Sequence, residues 1–502
     1  MFNGVVTWLM KKRKHQRDLF LNFPYEVQAD VLRYLVERAV ETDFGRKYCF
    51  SSIASKDDFR RQVPLQDYDS LKPLIDRHRK GEQNVLWPTP IRWFAKSSGT
   101  TSDRSKFIPV SQEALEDCHF KGGKDMLSIY CHNFPDTQLF SGKGLSIGGS
   151  HRVDETNDEV FYGDLSAVLL QNLPLWTELY RTPKLEVALM DEWESKLDEM
   201  VRITLEQDIT NIQGLPSWTL VLLNKVLEVS GKRNILEVWP NLEVFFHGAV
   251  SFLPYRKQFE AIIGSPGIKY METYNASEGF FAMQDRPDAD DMLLMLDYGI
   301  YYEFIPVEEW DSPEPKTLLL EEVEVGRNYA MVISTNAGLW RYRIGDTVRF
   351  TSLAPHRIHI TGRTKHFINA FGEEIIIENA EHALQMACTR TGALIREYTA
   401  GPCYLEGNAK GRHEWLIEFS SMPDDLNYFT ETLDVALKSI NSDYEAKRYR
   451  DMVLERPLVR SLPADTFYDW LRSKGKLGGQ HKVPRLSNDR RYLDEIGGGL
   501  AQ

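Results

Sequence analysis

Ser97-Ser98-Gly99-Thr100-Thr101 sets four hydroxyl side chains around one glycine, and Lys106 follows five residues later. A glycine lets the backbone pass an anion with no Cβ in the way, while hydroxyls, amide N–H groups and an ammonium supply donors and charge. That chemistry is phosphate binding. Ser105 precedes Lys106 and Phe107 follows it, so the stretch lacks the glycine, lysine and Ser/Thr order of a Walker loop. Taken alone, the run reads as a polar hairpin turn; its company downstream is what points to phosphate. Two further polar clusters are Tyr274-Asn275-Ala276-Ser277-Glu278-Gly279 and Tyr342-Arg343-Ile344-Gly345-Asp346. Glu278 suits a hard cation such as Mg²⁺, which takes oxygen ligands, and Asp346 can accept both hydrogen bonds of a ribose diol. The three clusters together suit ATP.

The surrounding pattern says which elements must hold these residues. Ile91, Trp93 and Phe94 before the first cluster, and Phe107, Ile108 and Val110 after it, predict strand, loop and strand, with the loop at a sheet edge or hairpin tip. Upstream, Val27, Val31, Leu32, Leu35, Val36 and Val40 recur at helical spacing, and the first ninety residues read as mainly helical. A helix is expected over 112–129, and the region 163–229 reads as helical again. Its two apolar runs, 163–176 and 215–229, are either buried core or the walls of an apolar pocket. Strands follow at 242–246, 268–273, 318–323, 330–334 and 347–350, with 292–307 alternating as a long hairpin would, and a turn or linker at 361–364. Beyond it the pattern becomes a compact alternation: helix 378–388, strands 393–399 and 415–419, helix 425–442. The expected fold class is mixed α/β, with a large domain over 1–362 and a small C-terminal α/β domain over 363–502.

The totals narrow the function classes. A chain of 502 residues divides into two or three domains, and 42% apolar with 26% charged residues is a soluble globular composition. The net charge of −13 argues against a surface devoted to nucleic acid. Cys49, Cys118, Cys131, Cys388 and Cys403 are scattered without a CxxC pair, so a disulfide framework or zinc site is not expected. In the first 17 residues the basic cluster follows the short apolar run, the wrong order for a secretory signal, and no stretch approaches a membrane span. A cytoplasmic protein with neither nucleic-acid nor membrane partner is expected.

In this order, and with a C-terminal Lys482-Val483-Pro484-Arg485, the motifs resemble those of the adenylate-forming superfamily of acyl-CoA synthetases, peptide adenylation domains and luciferases. More closely, the chain looks like a bacterial member of the auxin-responsive acyl-acid amido synthetases, whose signature has SSGTT with a following lysine, a Tyr-x-x-Ser-Glu segment and YRxGD. The resemblance implies that Ser98, Thr100, Thr101 and Lys106 cradle the triphosphate, that Glu278 binds Mg²⁺, that Tyr274 and Ser277 lie at the nucleotide with Tyr274 stacked near adenine, and that Asp346 holds ribose with Arg363 assisting. It places Gly248 and His247 beside the acyl carboxylate. His247 is open to a second reading, a buried hydrogen-bonded histidine. Lys482 corresponds to the mobile adenylation lysine, with Lys476 its competitor, and Lys365 falls at the hinge.

The reaction so implied uses ATP and Mg²⁺ to turn a small carboxylic acid into an acyl-adenylate, which an amine such as an amino acid then attacks. The absence of a GxSxG elbow or a catalytic-cysteine signature agrees, because no protein nucleophile is needed. Two alternatives stay open: an acyl-CoA ligase with a thiol acceptor, and a non-catalytic ATP-binding protein. The family suggests a monomer.

Overall fold

The computed structural model describes residues 14–98, 105–148, 151–153, 160–190, 193–249, 252–265, 267–287, 289–364, 367–405, 410–474 and 483–498. Strands to residue 214 are β1 (Trp93–Ser98), β2 (Ser105–Val110), β3 (Lys143–Ser146), β4 (His151–Val153), β5 (Phe161–Gly163), β6 (Arg181–Thr182) and β7 (Ile209–Gly214). Then come β8 (Val244–Gly248), β9 (Lys269–Ala276), β10 (Gly279–Met283), β11 (Met292–Leu294), β12 (Ile300–Pro306), β13 (Asn328–Thr335), β14 (Tyr342–Leu353) and β15 (His356–Arg363). Among the described residues these form a four-stranded sheet, β2-β1-β5-β4, and an eleven-stranded sheet, β12-β13-β14-β15-β11-β10-β9-β8-β7-β3-β6. β16 (Phe367–Ile368) and β17 (Ile375–Ile376) pair with each other, and β18 (Leu394–Tyr404), β19 (Gly411–Ser421) and β20 (Leu458–Leu462) form a third, three-stranded sheet.

Local chemistry explains the helix ends. Asp67 caps the helix Tyr68–Arg79 with a reciprocal Ser70 bond, Pro216 opens the helix Pro216–Ser230, and Gly231, at φ +66°, closes it. The expected helix over 112–129 begins with a π turn at Ala114–His119 and continues as Phe120–Asn133. β1 and β2 pair antiparallel with Ser97 opposite Lys106, so the expected strand, loop and strand is a hairpin with β2 at the sheet edge.

Four expectations are corrected. The segment 163–229 is not helical throughout: β7 lies inside it as a strand between β3 and β8, with Ile209 and Ile212 fully buried. A strand buried on both faces shows no alternation over six residues, so periodicity could not find it. Residues 292–307 are not a hairpin. β11 pairs with β10 and β15 while β12 pairs with β13 at the far edge, because alternation marks a strand without naming its partner. Residues 318–323 form a 3₁₀ turn, Leu320–Glu322, in which the Glu322 carboxylate accepts from the Leu319 amide at 2.8 Å; only Leu318 bridges to β12, at Phe304. The turn at 361–364 is instead the end of β15, where the register slips by one residue between Thr347 and Val348 and Gly362 takes φ +137°.

The segment after Arg363 shares a core with the rest. Ile368, Phe371 and Phe429 belong to the same buried cluster as Ile212, Leu223 and Phe259. Each fully buried side chain of this kind contributes about 1.5–3 kcal/mol, so the contact is a substantial apolar one. No described helix is long and apolar enough to cross a membrane.

Candidate active site

A cleft of about 2330 Å³ opens at the ends of β8, β9, β14 and β15, and both the large sheet and the segment after Arg363 line it. Lys106, Tyr274, Ser277, Glu278, Asp346 and Arg363 all reach it, as do Gly248 and His247. Residues separated by more than two hundred positions in the chain thus share one cavity.

Asp346 is its best-defined anchor. Register places it opposite Arg363, whose Nε donates to Oδ1 at 2.7 Å, and the Tyr274 hydroxyl donates to Oδ2 at 2.6 Å. The same guanidinium reaches Glu374 Oε1 at 3.1 Å. Burial works against the Arg363 charge, but Glu374 and Asp346 hold its pKa above the ordinary value. Tyr274 is buried and its ring leans on Phe281, so it contributes through its hydroxyl. Each Asp346 oxygen retains capacity to accept a further hydrogen bond. Ser277 and Glu278 are the two-residue turn joining β9 to β10, since Ala276 and Gly279 are register partners. Burial pushes the Glu278 carboxyl up to about 6 against the pull of Lys106, with Asp346 adding to the rise and Arg363 opposing it. Among the described residues it has no ion-pair partner, and such a carboxylate fits Mg²⁺, which is held by one or two protein carboxylates together with phosphate.

At the end of β8, a Cβ on Gly248 would stand 2.4 Å from the Thr273 carbonyl oxygen, so the glycine is required by the approach of β9. His247 is 4% exposed and lies against Phe252 with ring centroids 4.2 Å apart. Its Nδ1 is buried without a hydrogen-bond partner, and burial, with Arg256 adding to it, drives its pKa down to about 3, so the ring is neutral. The expected hydrogen-bonded core histidine is therefore not what Nδ1 presents.

Three descriptions of one family match the chain in order: the GH3 family N-terminal domain over residues 13–268, its central domain over 293–363 and its C-terminal domain over 378–491. The chain belongs to the GH3 family. Its GH3 relatives include the indole-3-acetic acid-amido synthetase GH3.3 of Arabidopsis thaliana, 23% identical over 91% of this chain and 89% of the relative. Another is the 4-substituted benzoates-glutamate ligase GH3.12 of the same plant, 23% identical over 96% of each. Among solved structures, the acyl acid amido synthetase AtGH3.15 in complex with 2,4-DB has the same fold at a TM-score of 0.62, with 18% identity, 96% of this chain and 94% of that one. A 2-hydroxyisobutyryl-CoA ligase in complex with 2-HIB-AMP and CoA aligns at 0.58, with 14% identity and coverage of 95% and 91%. This GH3 chain therefore has the mixed α/β adenylate-forming fold.

Not all of the expected GH3 site residues are described. Thr100, Thr101, Lys365, Lys476 and Lys482 lie outside the described residues, and Ser98 is described in its backbone alone. Arg343, inside the third motif, turns away: its guanidinium lies 3.8 Å over the Trp310 ring and donates to the Trp310 carbonyl. The structure adds cleft residues the sequence did not mark. Glu272 stands within β9, six residues before Glu278, and an acid inside the strand Ile268-Lys269-Tyr270-Met271-Glu272 was its one visible signal. Glu374 and Lys447 come from the C-terminal segment and had no local signal.

Proposed function

We propose that this GH3 chain is an ATP-dependent acyl-acid amido synthetase that joins a small carboxylic acid to an amine such as an amino acid. The observation that carries the reading is the meeting of Lys106, Glu278, Asp346 and Arg363 in one cleft that apolar side chains also line. Asp346, held by Tyr274 and Arg363, accepts the ribose hydroxyls. Ser98, Thr100, Thr101, Ser277 and Lys106 cradle the phosphates. Glu278 is the Mg²⁺ ligand; the ion, when bound, supplies positive charge at the phosphate oxygens.

The acid's carboxylate attacks the α-phosphorus in line and pyrophosphate leaves, with Lys106 offsetting charge on the phosphate oxygens. Gly248 and His247 border the acyl group. The amine then attacks the acyl carbon, and AMP leaves. The segment 363–502 closes over the cleft to exclude water, turning at Lys365 and bringing Lys482 to the α-phosphate; Lys476 is its rival. The proposed enzyme is a cytoplasmic monomer whose partners are these small molecules.

The test is ATP–pyrophosphate exchange with a panel of aromatic, indolic and aliphatic acids. Exchange that depends on one acid and drops by about a hundredfold in Glu278→Ala and in Lys482→Ala supports the reading. Absence of exchange with every acid while ATP still binds would instead favour a non-catalytic ATP-binding protein. Amino acids and coenzyme A, offered side by side, decide between amide and thioester.

A further inference from the structure

Glu272 lines the cleft from within β9, two residues before Tyr274. Its backbone is fully bonded: the amide donates to Gln284 Oε1 at 3.1 Å and the carbonyl accepts from the Gln284 amide at 2.9 Å. Its carboxylate is not, and among the described residues it has neither hydrogen bond nor ion pair. A half-buried carboxylate left without a partner is destabilising, so its presence asks for a ligand or a chemical task. Burial alone pushes it up to about 7.

A second unsatisfied group stands beside it. β8 and β9 run parallel with His247 opposite Glu272, so the two side chains leave the same face of the sheet. His247 also lines the cleft, and its Nδ1 is buried and unpartnered. Other charged and titratable groups lining the cleft near this end are Arg256, which bonds Glu260 at 3.0 Å and lies 5.7 Å from the Tyr270 ring, Tyr270 itself, Lys269, and the pair His359 and Asp290 at 3.9 Å. None of them forms an ion pair or side-chain hydrogen bond with Glu272 among the described residues. A carboxylate beside a neutral imidazole complements a cation with several N–H donors.

We propose that Glu272 binds the ammonium group of the amine acceptor and takes its proton, with His247 as the second hydrogen-bond partner. This rests on the amido-synthetase reading. An ammonium has no lone pair for attack. It gives one proton to Glu272, and the freed nitrogen pair bonds to the acyl carbon. As the bond from that carbon to the AMP oxygen breaks, the second N–H proton leaves with the AMP phosphate, and Glu272 returns its proton to solvent.

The experiment follows exchange and amide formation separately, from pH 5.5 to 9, in wild type, Glu272→Gln and Glu272→Asp, with an acid that supports exchange and an amino acid. Glu272→Gln is expected to lower amide formation by about a hundredfold while changing exchange by no more than about threefold. The wild-type amide rate rises through about pH 7, Glu272→Asp keeps part of that rise, and Glu272→Gln loses it and tracks the amine's own ionisation. Amide formation in Glu272→Gln near the wild-type rate overturns the proposal. So does a parallel fall in exchange, which would make Glu272 structural. Wild-type enzyme that exchanges but acylates only coenzyme A overturns it together with the amine acceptor, and wild type with no exchange on any acid overturns the amido-synthetase reading itself.

Discussion

Tyr274, Asp346 and Arg363 meet through hydrogen bonds of 2.6 and 2.7 Å although Tyr274 stands 72 residues before Asp346. Carboxylate, phenol and guanidinium are each common; here two donors fix one acceptor that lines the cleft, which is what the proposed ribose contact needs. Arg363 also bridges to Glu374. Lysine keeps the charge but has no planar fork to serve two carboxylates. Arg363→Lys should therefore raise the KM for ATP in the exchange assay by about tenfold, the worth of one charge-assisted hydrogen bond. An unchanged KM would show that the bridge does not order the nucleotide site. Residue type was enough to single out Glu278 and Asp346. Glu272 was passed over because an acid within a strand looks like any solvent-facing position until the fold shows a cleft on that side.

Elements decide where those side chains point. The slip of register at Thr361 lets β15 run on to Arg363 and sets it opposite Asp346; read from composition, the same residues looked like a turn. Gly248 belongs to this scale as well. With its Cβ position 2.4 Å from the Thr273 oxygen, Gly248→Ala forces β8 and β9 apart at their functional ends. The expected cost is about 1–3 kcal/mol, seen as a lower Tm, and weaker exchange accompanies it. A Tm equal to wild type would mean that the strands absorb the methyl group. Between β15 and β16 the chain passes through Lys365, the proposed hinge. Lys365→Pro, by locking φ there, should depress amide formation more than pyrophosphate exchange. Equal retention of both would remove the hinge from that position.

At the scale of the whole molecule, four histidines among the described residues are folded away neutral. Burial drives His78, His119 and His356 down to about 4 and His247 to about 3. A histidine depressed in the folded state adds stability that is intact above its unfolded value of about 6.5 and declines as pH falls below it. The raised carboxyls Glu272, Glu278, Asp117 and Asp164 act the other way, holding protons that the unfolded chain would release. The four histidines, each driven to about 4 or below, are expected to outweigh these carboxyls, so Tm should fall between pH 6.5 and 5. A Tm that stays flat or rises over that range would show that the histidines become protonated without unfolding.

The amino-acid sequence by itself determined the adenylate-forming family, through three short motifs in order, because residue types suited to an anion, a cation and a diol at short spacing are a local property of the chain. It also determined most strands and helices, since side-chain periodicity is a local property. Pairing is not local. That β11 and β12 stand four strands apart, that β7 completes a buried parallel row, and that the segment after Arg363 shares apolar core with Ile212 and Phe259 were settled only by tertiary structure. The same holds for Glu272 and His247. Each is an ordinary residue in its strand, and only the parallel register of β8 on β9, inside a cleft closed by distant residues, turns two unsatisfied polar groups into one site.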